Sequence, residues 1–241
     1  MYILLDANVV AGYYLPRSMP FKRARDRIEC ILDSVRSKAT DHFLYIPNFC
    51  IAEVFSVFAK HAFGDWNPHV KRSGGPLDKR VYQSLRDQFA KDIHNARLFY
   101  HYELSRYHIL GIDLVAPVDH YFQITRGKKK NHRPAGTFDH LIISMGVHLA
   151  HIHGQDNVCL VTADDRLSNV LDKCRVGLPA RTLRKLKLDN ATEVAGKPFG
   201  PTIFPRCLNL KTATNSELAD VFGVWPPPVG DIPDTYRWLR T

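Results

Sequence analysis

The chain has 241 residues, 45% of them hydrophobic and 24% charged, the composition of a globular protein able to bury a sizeable core. Lys and Arg outnumber Asp and Glu by 33 to 24, and the net charge of +9 at pH 7 favours a polyanion such as nucleic acid as partner. Five scattered cysteines without a CxxC pair argue against a disulfide framework or a zinc site, and no basic leader or apolar run of roughly 18 residues is present, so a soluble cytoplasmic protein is expected.

The first predicted element is a strand over residues 2–5, which runs straight into Asp6. Residues 21–37 carry Ala24, Ile28, Ile31, Leu32 and Val35 at helical spacing. Residues 43–46 predict a second strand closed by Pro47, and Asn48 can cap a helix to about Phe63. Gly64, Pro68, Gly74, Gly75 and Pro76 mark a loop over 65–76, and 77–107 is a long helical stretch of one helix or two. The apolar run 108–115 predicts a third strand, with Pro117 opening a short helix. Residues 125–136 are a polar, basic loop. Thr137 can cap a helix over 138–153 that Gly154 stops. Residues 158–161 form a fourth strand, continuously apolar as in a sheet covered on both faces, and a helix over 165–173 follows.

Strands alternating with helices predict an α/β fold with a mainly parallel sheet. After Gly177 the texture changes, since eight of the fifteen prolines fall in the remaining stretch. Trp225, Tyr236 and Trp238 give that stretch apolar anchors. The expected organisation is therefore a domain over 1–178 and a Pro-rich C-terminal extension over 179–241 packed on it.

Four acids carry the chemistry. Asp6 ends the first strand, Glu53 lies in the helix after the second, Asp139 sits in the first turn of the helix after the basic loop, and Asp164 follows the fourth strand. Ile142, Ile143 and Gly146 follow Asp139 on the buried stripe, and Glu53 has Phe49, Ala52, Ser56 and Val57 as its helical neighbours. Each acid has an ordinary alternative: Asp139, Asp164 and Asp6 can cap helices, and Glu53 can be solvated. Together, strand ends and the helix starts that follow them share one edge of a parallel sheet, so these acids can converge. Clustered carboxylates cannot all stay ionised without cations, and oxygen ligands of this type suit Mg²⁺ or Mn²⁺.

The motifs Leu-Leu-Asp6-Ala-Asn8, Ile-Pro-Asn-Phe-Cys-Ile-Ala-Glu53, Thr-Phe-Asp139-His-Leu-Ile-Ile-Ser and Val-Thr162-Ala-Asp164-Asp165-Arg, in this order, resemble those of the PIN-domain nucleases. That family includes the ribonuclease toxins of toxin–antitoxin pairs. The resemblance covers residues 1–177 and implies a three-layer α/β/α sandwich. It also implies Mg²⁺- or Mn²⁺-dependent cleavage of single-stranded RNA by water activated on the metal. Asp6, Glu53, Asp139 and Asp164 would be the catalytic, metal-binding acids, with Asn8, Thr162 and Asp165 in support. An inhibitory antitoxin-like protein and a homodimer are the protein partners it suggests. The long helical region 63–107 and the C-terminal extension depart from the compact toxin pattern.

Arg126, Lys128, Lys129, Lys130 and Arg133 crowd the loop ahead of Asp139 and are expected to bind nucleic-acid phosphates, although a solvated surface loop is the ordinary fate of such a run. Arg181, Arg184, Lys185 and Lys187 offer a second basic patch. His148, His151 and His153 match no standard zinc spacing. Two other functions compete with the ribonuclease: a catalytically weak PIN-like RNA-binding or scaffold protein, and a nuclease acting on DNA.

Overall fold

Eleven helices and five strands are found among the residues that the computed structural model describes, which are 1–16, 22–62, 79–94, 98–125, 134–188 and 191–232. The strands β1 (Tyr2–Leu5), β2 (Phe43–Pro47), β3 (Tyr100–Tyr102), β4 (Val158–Thr162) and β5 (Arg206–Asn209) form one sheet in the order β3-β2-β1-β4-β5. The pairs β2/β3 and β4/β5 are parallel, with Tyr45 opposite Tyr100 and Thr162 opposite Asn209. The fold is α/β, with a mainly parallel sheet and flanking helices. The chain divides into two compact units, one of Met1–Leu4 with Glu103–Asn209 and the other of Leu5–Tyr102 with Leu210–Thr241. No helix among the described residues is long and apolar enough to cross a membrane.

In the second unit α1 (Ala7–Tyr14) is buried along nearly its whole length and packs on α2 (Lys22–Arg36) and α3 (Asn48–Ala62). Tyr14, Phe58, Phe89 and Phe99 form its aromatic core, with Tyr14 5.2 Å from Phe89, which belongs to α4 (Lys79–His94). Asp92 of α4 is fully buried because it is fully paired: it accepts from the Tyr14 hydroxyl at 2.6 Å and from the Arg36 guanidinium at 2.7 and 3.2 Å. Burial, with the Asp92 charge, pushes the Tyr14 hydroxyl well above the usual phenol range.

In the first unit α7 (Thr137–His153) is buried over most of its length and packs against α5 (Arg106–Leu110), α6 (Ile112–Thr125), α8 (Asp165–Val176), α10 (Ala191–Ala195) and β4. Every residue of β4 is buried, as its unbroken apolar run requires. Gly146 lets α7 approach closely, since a Cβ there would meet Pro205 Cγ at 2.9 Å.

Three expectations need correction. Residues 108–115 are not a strand: they form α5 and the start of α6, with His108, Leu114, Val115 and Val118 buried at helical spacing and Ile109 and Leu110 left exposed. Ser105 closes the start of α5, its N–H donating to His108 Nδ1 at 2.9 Å. The third strand is Tyr100–Tyr102, inside the stretch expected to be helical; its Tyr-His-Tyr sequence carries no apolar period. Pro117 lies within α6 rather than at its start. Beyond residue 178 come α9 (Ala180–Leu186), α10, β5 and α11 (Asn215–Phe222), and β5 is a strand of the sheet. Phe222 and Trp225 rings lie 5.7 Å apart, whereas Tyr236, Trp238, the loop 65–76 and the basic run 126–133 lie outside the described residues.

Candidate active site

In the second unit, Asp6 follows β1 and is 9% exposed. It occupies the residue before α1, and its carbonyl accepts the Val9 and Val10 N–H groups. Its carboxylate makes no hydrogen bond to those helix N–H groups, so the capping alternative does not account for it. Asp6 Oδ2 instead accepts from Asn8 Nδ2 at 2.6 Å. Glu53 is exposed on α3, along with Ala52 and Ser56, while Cys50, Val54 and Phe58 take the buried stripe. The expected small and apolar neighbourhood of Glu53 is thus an open helix face.

In the first unit, Asp139 lies in the first turn of α7. Gly136, not Thr137, is the capping residue, and its N–H donates to Asp139 Oδ2 at 2.7 Å. The carboxylate is half-buried, with Ile142, Ile143 and Gly146 buried behind it. Burial raises the Asp139 carboxyl above its ordinary value; the Gly136 N–H opposes this, the Asp164 charge adds to it, and Arg166 and His140 oppose it by less. The two acids therefore lie in each other's field.

Asp164 leaves β4 where Thr162, fully buried, accepts the Asp164 N–H on Oγ1 at 2.9 Å. That bond ties the Thr162 hydroxyl to the backbone at the start of α8. Asp164 Oδ1 caps α8 through the Arg166 N–H at 2.7 Å, and Oδ2 pairs with the Arg166 guanidinium at 3.0 Å. Asp165 is exposed and its Oδ1 accepts from Asn209 Nδ2 at 2.7 Å, so the doubled acid splits into two differently held carboxylates.

No family model matches the chain, and no curated protein matches it. Among solved structures, the chain is similar to one from the crystal structure of VapBC2 from Rickettsia felis bound to a DNA fragment from their promoter. The identity is 16%, over 70% of this chain and 93% of that one, with a TM-score of 0.39. A likeness at that level identifies neither an activity nor a partner.

Asn209, Arg166 and a buried ion network were not legible as site residues. Asn209 stands at the end of β5, a strand that directly follows the Pro-rich stretch 198–205. The network joins Asp119 of α6, His140 of α7 and Lys173 of α8. Burial alone would raise the Asp119 carboxyl, but hydrogen bonds from His140, Lys173 and the Ala135 N–H hold it well below the usual carboxylate range. His148 accepts or donates at 2.9 Å to His108, which burial and His148 push down to about 4. Among the described residues no three His, Cys, Asp or Glu side chains gather as a metal-holding group. What the first unit offers is a carboxylate pair with one guanidinium beside it. Arg181, Arg184, Lys185 and Lys187 are exposed on and just after α9.

Proposed function

We propose that the protein is a metal-dependent endoribonuclease acting on single-stranded RNA, with Asp139 and Asp164 of the first unit as the acids that would hold Mg²⁺ or Mn²⁺. The observation that carries this reading is the half-buried Asp139 carboxylate in the first turn of α7, whose ionisation is opposed by burial first and then by the Asp164 charge. Paired carboxylates in that state fit a hard divalent cation, which relieves their repulsion. When bound, such an ion neutralises phosphodiester charge and lowers the pKa of water.

The chain's own residues do the rest. The Gly136 N–H and the Thr162 hydroxyl fix Asp139 and the backbone of Asp164, so neither acid has to be ordered when substrate binds. Arg166 supplies positive charge beside the pair, and the basic run 126–133 would hold flanking phosphates.

One observation favours a binding module without catalysis: Asp164 already has a helix N–H and a guanidinium as partners. Digestion of labelled RNA and DNA side by side with Mn²⁺ separates the readings. The expected result is cleavage of RNA that falls on the order of 10²–10³-fold in Asp139→Asn, the loss typical of one oriented group at a reacting centre. Salt-sensitive RNA binding with no cleavage in the wild type would instead establish the module.

A further inference from the structure

Three buried ionisable side chains of the first unit have no part in the chemistry proposed above. Asp119, His140 and Lys173 are 1%, 6% and 8% exposed. Lys173 Nζ donates to Asp119 Oδ1 at 3.0 Å. The other oxygen, Oδ2, accepts the Ala135 N–H at 3.1 Å and lies 3.4 Å from His140 Nε2. Both carboxylate oxygens are thus engaged, by groups from α7, α8 and the segment that leads into α7.

Stability alone is a poor reason for such a network. Desolvation of two buried charges offsets much of their attraction, and apolar side chains of similar volume often serve a fold as well or better. What the network does supply is orientation. Ala135 and Gly136 are consecutive: Asp119 fixes the N–H of the first, and the N–H of the second holds Asp139 Oδ2 at 2.7 Å. His140, the residue after Asp139, is held by the same carboxylate. Asp139 is therefore clamped from both sides by one buried group, through Gly136 before it and His140 after it.

We propose that Asp119, neutralised by Lys173, is a positioning residue for Asp139: it sets the Ala135 and Gly136 N–H groups and the first turn of α7 so that the Asp139 carboxylate is presented in one orientation before a cation arrives. This rests on the reading of Asp139 as a cation ligand.

The test uses the full chain and the double variant Asp119→Leu/Lys173→Met, which removes the acceptor and both charges together and leaves neither member of the pair buried alone. Circular dichroism reports folding, calorimetry the Mn²⁺ affinity, and NMR amide exchange the Gly136 N–H. The expected result is a folded protein whose Mn²⁺ affinity drops by about tenfold or more, the loss typical of an outer partner of a metal ligand. Gly136 exchange should quicken by a similar factor, amides in the middle of α7 should be unchanged, and Lys173→Arg should retain wild-type values. A folded double variant with wild-type Mn²⁺ affinity and wild-type Gly136 exchange overturns the proposal. If the double variant does not fold, Asp119→Asn takes its place with the same two outcomes, because it keeps the volume but leaves one acceptor oxygen where two are used. Should Asp139→Asn bind Mn²⁺ as the wild type does, the cation reading of Asp139 fails, and Gly136 exchange alone decides whether Asp119 positions the turn.

Discussion

The interior of the second unit and the helix starts of the first treat carboxylates in opposite ways. Asp92 is fully buried with Arg36, Tyr14 and Gln88 around it, so its charge is matched on every side that donates. Asp139 is half-buried, tied by a single N–H, and faces the charge of Asp164. One acid holds its surroundings together, and the other is held by its surroundings against its own preference. That contrast separates a structural carboxylate from a candidate functional one without reference to any relative.

Removing the first kind should be the most damaging. Asp92→Ala leaves a buried guanidinium and a buried hydroxyl without their acceptor, and is expected to cost about 3–5 kcal/mol in urea unfolding, the range for breaking a buried ion pair. A loss below about 1 kcal/mol, the value of an exposed pair, would break the contrast from the structural side.

Removing the second kind should do the reverse, by a smaller amount. The Asp139 carboxyl is raised on folding, so its contribution to stability is full at pH values below the ordinary carboxylate range and is lost as pH rises through the folded value. At pH 7 the charged carboxylate opposes folding. Asp139→Asn should therefore melt slightly above the wild type at pH 7, and the difference should vanish in acid. A lower melting temperature at pH 7 would mean that Asp139 is structural, like Asp92.

Much of the fold was legible in the sequence where one period dominates. The helices α2, α3, α7 and α8 and the strands β1, β2 and β4 follow from apolar spacing and from residues such as Pro47 and Gly154, whose φ of +88° ends α7 as expected. Residues 108–115 were ambiguous because a short apolar run suits either element, and only the burial of one side decided for helix. The edge strands were hidden for opposite reasons. Tyr100–Tyr102 is short and half-exposed, so pairing with β2 rather than propensity defines it, and Arg206–Asn209 directly follows Pro198, Pro201 and Pro205, which suggest a loop.

The addresses of the four acids were readable, since strand ends and first turns are fixed by the same periods. Their orientations were not. Glu53 is exposed because Cys50, Val54 and Phe58 claim the buried stripe of α3, and four-residue spacing alone does not say which of two neighbouring stripes faces inward. The Asp119–Lys173 pair was invisible because its members are 54 positions apart and each passes for a surface charge.

The central claim is that Asp139 and Asp164 of the first unit serve one cation site. Mn²⁺ binding, followed by electron paramagnetic resonance on the wild type and on Asp139→Asn and Asp164→Asn, tests it most directly. The expected result is saturable binding that each variant weakens by at least about tenfold, since direct ligands should matter no less than their outer partners. Saturable binding left intact by either Asp139→Asn or Asp164→Asn, or no binding in the wild type, would contradict it.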